Sequence, residues 1–180
     1  MEYFDVHIHS YTKIEKIKKI LQIFTIYKDK VRNVSIEDNQ DDDVMEQLRV
    51  CTGNVKQLIL RYSYNCMFWL NVDILLRWNL KEVKIMEPAV PTRVIILIAQ
   101  TCSELTSIIL GTRKIDDSAV IAIAQHCPKL ETLQLLADGI IYTSLLVLSE
   151  PGLPLQELQC RYFPNIPTAD IARRCSHALS

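Results

Sequence analysis

One pattern of apolar residues recurs along most of the chain. Two apolar positions lie three residues apart, and a third follows two residues later, giving the spacing L-x-x-L-x-L. The pattern occurs at Val31/Val34/Ile36, Val55/Leu58/Leu60, Leu80/Val83/Ile85, Leu105/Ile108/Leu110, Leu130/Leu133/Leu135 and Leu155/Leu158/Cys160. The first positions are separated by 24, 25, 25, 25 and 25 residues. Six copies at one period indicate repeats of a single structural unit.

A second apolar pattern lies between these triplets. Its members follow the spacing i, i+3, i+4 and i+7, and they are Ile95/Ile98/Ala99/Cys102, Val120/Ile123/Ala124/Cys127 and Thr168/Ile171/Ala172/Cys175. This spacing places side chains on one face of a helix. Asp116 or Asp117 is positioned to cap the second helix. Each repeat is therefore predicted to contain a short strand, a turn and a helix with one buried stripe.

Units of this size cannot bury their apolar faces alone, but stacked copies form a continuous core. Neighbouring strands lie about 4.8 Å apart and packed helices about 8–10 Å apart, so such a stack must curve with its strands inside. The sequence predicts an α/β leucine-rich-repeat solenoid, or horseshoe. It has a parallel β-sheet on the concave face and helices on the convex face. About six repeats of 24–25 residues occupy residues 31–180, after an N-terminal strand–helix cap at residues 1–30.

Two segments carry a resemblance to a known family. CSELTSIIL (102–110) and IDDSAVIAIAQHCPKLETLQL (115–135) resemble the cysteine-containing repeats of F-box/leucine-rich-repeat proteins. The resemblance implies the substrate-recognition part of an SCF-type (cullin–RING) ubiquitin ligase receptor, acting in the ubiquitin-like conjugation pathway. In that family an F-box precedes the repeats and docks the ligase adaptor, which links to the cullin; no F-box is recognisable here. A ligase-independent leucine-rich-repeat scaffold is the alternative.

The first strand-like stretch raises a different possibility. FDVHIHS (4–10) resembles the first motif of polymerase-and-histidinol-phosphatase-type phosphoesterases. Its alternation puts Asp5, His7 and His9 on one face and the apolar residues Phe4, Val6 and Ile8 on the other. Those hydrolases need further ligands at later strand ends, whereas the remaining histidines, His126 and His177, lie at helix ends. The stretch is predicted to be the first strand of the stack, with its apolar face in the core and its polar face on the concave surface. No metal, cofactor or catalytic residue is expected. A metal-dependent hydrolase using Asp5, His7 and His9 is the alternative.

The residues between the triplet positions are predicted to line the concave face and bind a protein partner. They include apolar, charged and tyrosine side chains, a mixture that suits protein interfaces. The candidates are Ile59, Arg61, Tyr62, Glu82, Lys84, Met86, Ile109, Gln134, Leu136, Arg161 and Tyr162. The alternative for the apolar members is that they serve only as strand formers. Basic residues are not expected to share a row, and no nucleic acid is expected to bind.

The cysteines and the overall composition narrow the class further. The six cysteines include no C-x-x-C pair, which predicts free thiols in a reducing compartment, the cytoplasm or the nucleus. Cys102, Cys127 and Cys175 are predicted to be structural residues buried where a helix turns into a strand, rather than zinc ligands. The chain is 49% hydrophobic with a net charge of -1, which favours a globular protein. No apolar run approaches the roughly 20 residues of a membrane span, and the N-terminus does not resemble a secretory signal.

The C-terminal segment resembles the start of another repeat. CSHALS (175–180) matches CSELTS (102–107), which leads into a strand. An uncapped repeat exposes apolar surface. The chain is therefore expected to be a truncated isoform or fragment of a longer protein, or to have its end covered by a partner.

Overall fold

The structure is a computed structural model. It describes residues 4–9, 14–27, 30–37, 55–61, 78–86, 88, 90–112, 115–136, 142–148 and 153–161. The candidate residues Tyr62, Tyr162 and Cys175 lie outside these ranges, as do the predicted helix around residues 168–175 and the segment 175–180. Most apolar side chains of the first helix, though not those of Ile26 and Tyr27, also fall outside the described part, as does the side chain of Arg161.

The protein is α/β, with one parallel sheet of seven strands in chain order. The strands are β1 (Phe4–His9), β2 (Val31–Glu37), β3 (Gln57–Arg61), β4 (Glu82–Met86), β5 (Ser107–Leu110), β6 (Thr132–Leu136) and β7 (Glu157–Arg161). The described residues form four helices, α1 (Ile14–Tyr27), α2 (Thr92–Thr101), α3 (Asp117–His126) and α4 (Tyr142–Val147). None of the helices in this described part is long and apolar enough to cross a membrane.

The apolar triplets form the core beneath the sheet. In β2 to β6 and the residues leading into them, every triplet side chain is at most 2% exposed. In β7 the first triplet residue, Leu155, is buried, whereas Leu158 and Cys160 are only half-buried. Among the described strands, β7 lies at the end of the order and pairs with β6. The predicted strands are confirmed, and the triplet positions of β7 are less buried than those of β2 to β6.

Paired residues of neighbouring strands are separated along the chain by the same interval as the apolar triplets. Leu58 pairs with Val83, and Val83 pairs with Ile108, so each strand continues the register of the last. The backbone bonds that lead into the strands repeat as well. The carbonyl of Lys81 accepts from the N–H groups of Thr106 and Ser107 at 2.8 and 3.0 Å. One repeat later, the carbonyl of Thr106 accepts from the next pair of N–H groups at 2.9 and 3.0 Å.

Helices α2 and α3 are equivalent in both position and ending. They pack against each other, and α3 also packs against α4. The N–H of Cys102 bonds to the carbonyl of Ile98 at 2.9 Å, and the N–H of Cys127 bonds to that of Ile123 at 3.0 Å. The two cysteines have nearly the same backbone angles, φ −109° and ψ 70° against φ −111° and ψ 70°. The predicted stripe is buried except for Ala124, which is half-buried.

Strand β1 departs from strict alternation at its first residue. Val6 and Ile8 are buried as predicted, but Phe4 is 38% exposed, so its predicted place in the core is wrong. Phe4 pairs with Val31 while Asp5 pairs with Asn33, which leaves an extra residue on β2. A bulge of this kind breaks the period-two pattern. The Phe4 ring instead packs against the Tyr27 ring, with centroids 5.7 Å apart.

Candidate functional site

The side chains between the buried positions form three rows on the other side of the sheet, which we call the outer face. Parallel pairing in register aligns equivalent residues of successive strands into these rows. The first row is Asp5, Asn33, Gln57, Glu82, Ser107, Thr132 and Glu157. The middle row is His7, Ser35, Ile59, Lys84, Ile109, Gln134 and Gln159. The third row is His9, Glu37, Arg61, Met86 and Leu136, with Gly111 directly after β5 beside Met86 and the backbone of Arg161 paired with Leu136.

The rows bring the described candidate residues together. Ile59, Lys84, Ile109 and Gln134 occupy neighbouring places in the middle row. The third row holds Arg61, Met86, Leu136 and the backbone of Arg161, and Glu82 lies in the first row. The described residues predicted from the spacing therefore share one surface.

The apolar candidates on this face are half-buried rather than fully exposed. Ile59, Met86, Ile109 and Leu136 all have this intermediate exposure. Adjacent strands are about 4.8 Å apart, so each side chain shields its neighbours in the row. Met86 shows the closeness: a Cβ placed on Gly111 would lie 2.8 Å from both its Cε and its Sδ. The glycine thus gives the Met86 thioether room to lie across the sheet.

Hydrogen bonds between strands engage polar side chains of the first row. Asn33 Nδ2 donates to Asp5 Oδ1 at 2.8 Å, and Gln57 Nε2 donates to Glu82 Oε2 at 2.6 Å. At the other end, Glu157 Oε1 accepts from Gln134 Nε2 at 3.2 Å and from Gln159 Nε2 at 2.6 Å. These bonds already engage the carboxylates of the first row. The remaining apolar and basic side chains of the middle and third rows are the better candidates for contacts with a partner.

Asp5, His7 and His9 lie on the outer face in three different rows. All three are exposed, and Asp5 is bonded to Asn33. His9 Nδ1 lies 2.9 Å from Glu37 Oε2 across the strand pair. Within the described ranges, no group of three or more His, Cys, Asp or Glu side chains is placed to hold a metal ion. The arrangement provides cross-strand polar contacts at the start of the sheet.

Cys102 and Cys127 are buried at the ends of α2 and α3. Burial raises the pKa of each thiol to about 12, and for Cys127 the neighbouring Cys102 adds to the effect. A thiol with such a pKa stays protonated near neutral pH and is a poor nucleophile and metal ligand. Cys127 Sγ lies 3.9 Å from the carbonyl oxygen of Ala99 in the preceding helix. Both cysteines, together with Cys160, are free thiols.

A row of basic residues crosses the edge of the sheet where the first strands begin. Lys56 N–H bonds to the carbonyl of Arg32 at 2.7 Å, and Lys81 N–H bonds to the carbonyl of Lys56 at 2.7 Å. These three residues lie outside the three rows of the outer face and were not among the predicted site residues. The signal was present in the sequence, since each of these residues directly follows the first apolar residue of its triplet. Burial, together with the charges of Arg32 and Lys81, lowers the pKa of Lys56.

Comparison with known proteins adds no relative. No model of a protein family matches the chain, and no curated protein matches it.

Proposed function

We propose that the chain is a leucine-rich-repeat solenoid that binds a protein partner through its outer face and performs no chemistry itself. The observation that carries the proposal is the alignment of outward side chains into three rows across all seven strands. A surface built by repetition offers many side chains at fixed spacing, which suits recognition of an extended protein surface. The outer face also places half-buried apolar side chains next to charged ones, a mixture that is common in protein interfaces.

The curved shape belongs to this proposal. Every described strand pair is parallel and in sequence order, and α2, α3 and α4 pack in succession. Strands at about 4.8 Å and helices at about 8–10 Å differ in spacing, so a stack of both bends toward its strands. The outer face would then be the concave side of a horseshoe, and the helices would form the convex side.

Among such proteins, we favour a relative of the F-box/leucine-rich-repeat substrate receptors of cullin–RING ubiquitin ligases. The support is the cysteine-containing junction, which recurs with the same backbone angles and the same hydrogen bonds at Cys102 and Cys127. A scaffold that acts without a ligase uses the same surface. The two differ in which proteins accompany the bound partner.

The centre of the proposed interface is Lys84 with its two neighbours in the middle row, Ile59 and Ile109. All three are half-buried. Arg61 lies in the adjoining third row, directly beside Met86. Arginine and large apolar side chains in partly desolvated positions are the groups that dominate many protein interfaces.

The test is affinity purification of the tagged full chain from cells, compared between Ile109→Lys and Ile121→Lys. Both isoleucines are half-buried, but Ile109 lies on the outer face and Ile121 on α3. We expect Ile109→Lys to weaken the partner's affinity by about 30-fold or more, the loss of one interface anchor. Ile121→Lys should retain the partner. Circular dichroism and thermal unfolding verify that both variants are folded.

The proteins recovered separate the two versions of the proposal. Recovery of the ligase adaptor and a cullin together with the partner supports the receptor, and partners alone support the scaffold. Equal retention by both isoleucine variants would count against the outer face. Phosphoesterase activity of the purified chain, lost in His7→Ala and His9→Ala, would overturn the whole proposal in favour of a metal-dependent hydrolase.

A further inference from the structure

The corner of the sheet beside β1 combines exposed apolar side chains with a row of cations. We define the basic corner as Phe4, Ile26, Tyr27, Lys30, Arg32, Lys56 and Lys81. It lies at the edge where β2, β3 and β4 begin, whereas the outer face consists of the three rows on the strands themselves. The basic corner is therefore a different surface from the outer face.

The apolar half of the corner is unusual for its exposure. Ile26, Tyr27 and Phe4 are 74%, 41% and 38% exposed, and they are the large hydrophobic residues found exposed in the described part of the chain. The rings of Phe4 and Tyr27 are 5.7 Å apart, and Ile26 lies in the last turn of the same helix, α1, as Tyr27. Clustered exposed apolar groups commonly mark an interaction site.

The cationic half continues directly from the aromatic pair. Lys30 Nζ lies 5.4 Å from the centre of the Tyr27 ring. Lys30 and Arg32 flank Val31, which pairs with Phe4. From Arg32 the backbone bonds lead to Lys56 and then to Lys81. Four basic residues thus follow one another along a single edge, beside the Phe4 and Tyr27 rings.

Arg32, Lys56 and Lys81 are close enough for their charges to interact. The pKa of Lys56 is lowered by burial and by Arg32 and Lys81, which reflects their mutual repulsion. The carboxylate that acts on Lys56 from farther along the edge is that of Glu104. Glu104 is itself held by Lys129, whose Nζ is 2.6 and 2.7 Å from its two oxygens. An incoming anion would relieve the repulsion among the three cations of the row.

We infer that the basic corner binds an acidic segment of a protein partner, and that an apolar residue of this segment packs on Ile26, Tyr27 and Phe4. The basic side chains complement carboxylates of the segment. The exposed side chains of Ile26, Tyr27 and Phe4 favour a peptide over a small anion, because a peptide also supplies an apolar side chain. Single-stranded nucleic acid fits less well. Base stacking needs an open ring face, whereas Lys30 lies over Tyr27 and the two rings are tilted at 45° to each other.

The test uses the full chain and a fluorescent synthetic peptide of glutamates and aspartates around a central Phe-Leu pair. Binding is followed by fluorescence anisotropy at low salt and at about 0.15 M salt, where charge contacts are more screened. We expect saturable binding that weakens as salt rises. We expect Lys56→Glu/Lys81→Glu to weaken it by about tenfold or more, because two attractive charges become repulsive.

Matched variants and probes separate the two halves of the corner. Lys18→Glu/Lys19→Glu makes the same change of charge on exposed positions of α1 and should leave binding unchanged. Ile26→Ser should weaken binding by about fivefold through lost apolar burial. A peptide with serines in place of the Phe-Leu pair should bind the wild type and Ile26→Ser equally.

Four results would overturn the inference. They are an absence of saturable binding to the wild type, an unchanged affinity in Lys56→Glu/Lys81→Glu, equal weakening by the α1 control, and tighter binding of an oligothymidylate than of the peptide. Ile109→Lys keeps the two proposals apart, since it should weaken partner binding on the outer face and leave peptide affinity intact.

Discussion

Asp116 is a single residue that fixes both the start of one helix and its contact with the preceding one. Its Oδ1 accepts hydrogen bonds from the Ser118 N–H at 3.0 Å and from the Ser118 hydroxyl. Its Oδ2 accepts from the Thr92 hydroxyl, at the start of α2, at 3.1 Å. These bonds hold the pKa of the carboxyl below its ordinary value, against the opposing effect of burial.

We predict that Asp116→Ala lowers the free energy of unfolding by about 1 kcal/mol at neutral pH, the typical cost of losing an N-cap. Urea denaturation of the purified chain measures the change. Asp116→Asn is the matched control, because asparagine is an equally good cap. It lacks the charge, and its amide NH2 donates to the Thr92 hydroxyl where the Asp116 Oδ2 accepts from it. A loss in Asp116→Asn as large as that in Asp116→Ala would contradict the capping role.

The same residue predicts a defined response to acid. The folded-state pKa of Asp116 lies below the unfolded value, so its ionised form stabilises the fold above the unfolded pKa of about 3.9. This contribution is lost as the pH falls through the folded-state pKa. The stability difference between the wild type and Asp116→Asn should therefore shrink below about pH 4. The free energies of unfolding of the two proteins are measured as a function of pH. A difference between them that stays constant down to strong acid would refute this prediction.

Residue-level detail was predictable only where local chemistry decided it. The sequence narrowed the cap to Asp116 or Asp117, and the extended backbone of Asp116, with φ −112° and ψ 177°, selects the first. Phe4 shows the opposite case. Alternation predicted its burial, but the register shift between Phe4 and Asp5 depends on pairing with β2 and leaves no mark in β1 alone.

At the scale of an element, each strand separates a core face from an outer face. In β6, Leu133 is fully buried and its neighbour Gln134 is half-buried on the outer face. We predict that Leu133→Ala lowers the free energy of unfolding by about 2–5 kcal/mol through lost burial and a cavity. Gln134→Ala should cost about 1 kcal/mol or less, since it removes one partly exposed hydrogen bond to Glu157. Guanidinium denaturation of both variants measures the contrast, and similar losses would invalidate the assignment of faces.

The elements were predictable because each triplet encodes a strand with one buried face, and the pairing in register confirms them. The row formed by Arg32, Lys56 and Lys81 was not predicted, although each of these residues directly follows the first apolar residue of a triplet in the sequence. Arg32, Lys56 and Lys81 stand between two apolar positions three residues apart, where alternation does not say which way a side chain points. Their alignment follows from the backbone bonds between successive strands. The half-burial of Ile59 and Ile109 likewise depends on neighbours across the sheet rather than within one strand.

At the scale of the whole molecule, one continuous core joins all seven strands, but the strands do not share it equally. Interior strands such as β5 pair on both sides, whereas among the described strands β7 pairs with β6 alone. Leu133 and Leu158 occupy equivalent, paired positions, yet the first is fully buried and the second only half-buried. Stability in such a stack is expected to depend on nearest neighbours and to decline toward its ends.

We predict that backbone amides of β7 exchange with deuterium faster than those of β4 to β6 in the full chain. The matched pair Leu133→Ala and Leu158→Ala tests the cause. Leu133→Ala should accelerate exchange throughout the sheet, because Leu133 is a buried core residue of β6, which pairs with β5 on one side and β7 on the other. Leu158→Ala should accelerate exchange in β7 and leave β4 and β5 nearly unchanged, because opening the last strand does not require opening the others. Mass spectrometry of peptides from each strand distinguishes these outcomes. Equal acceleration of all strands by both variants would mean that the sheet unfolds as one unit, with β7 an integral part of its core.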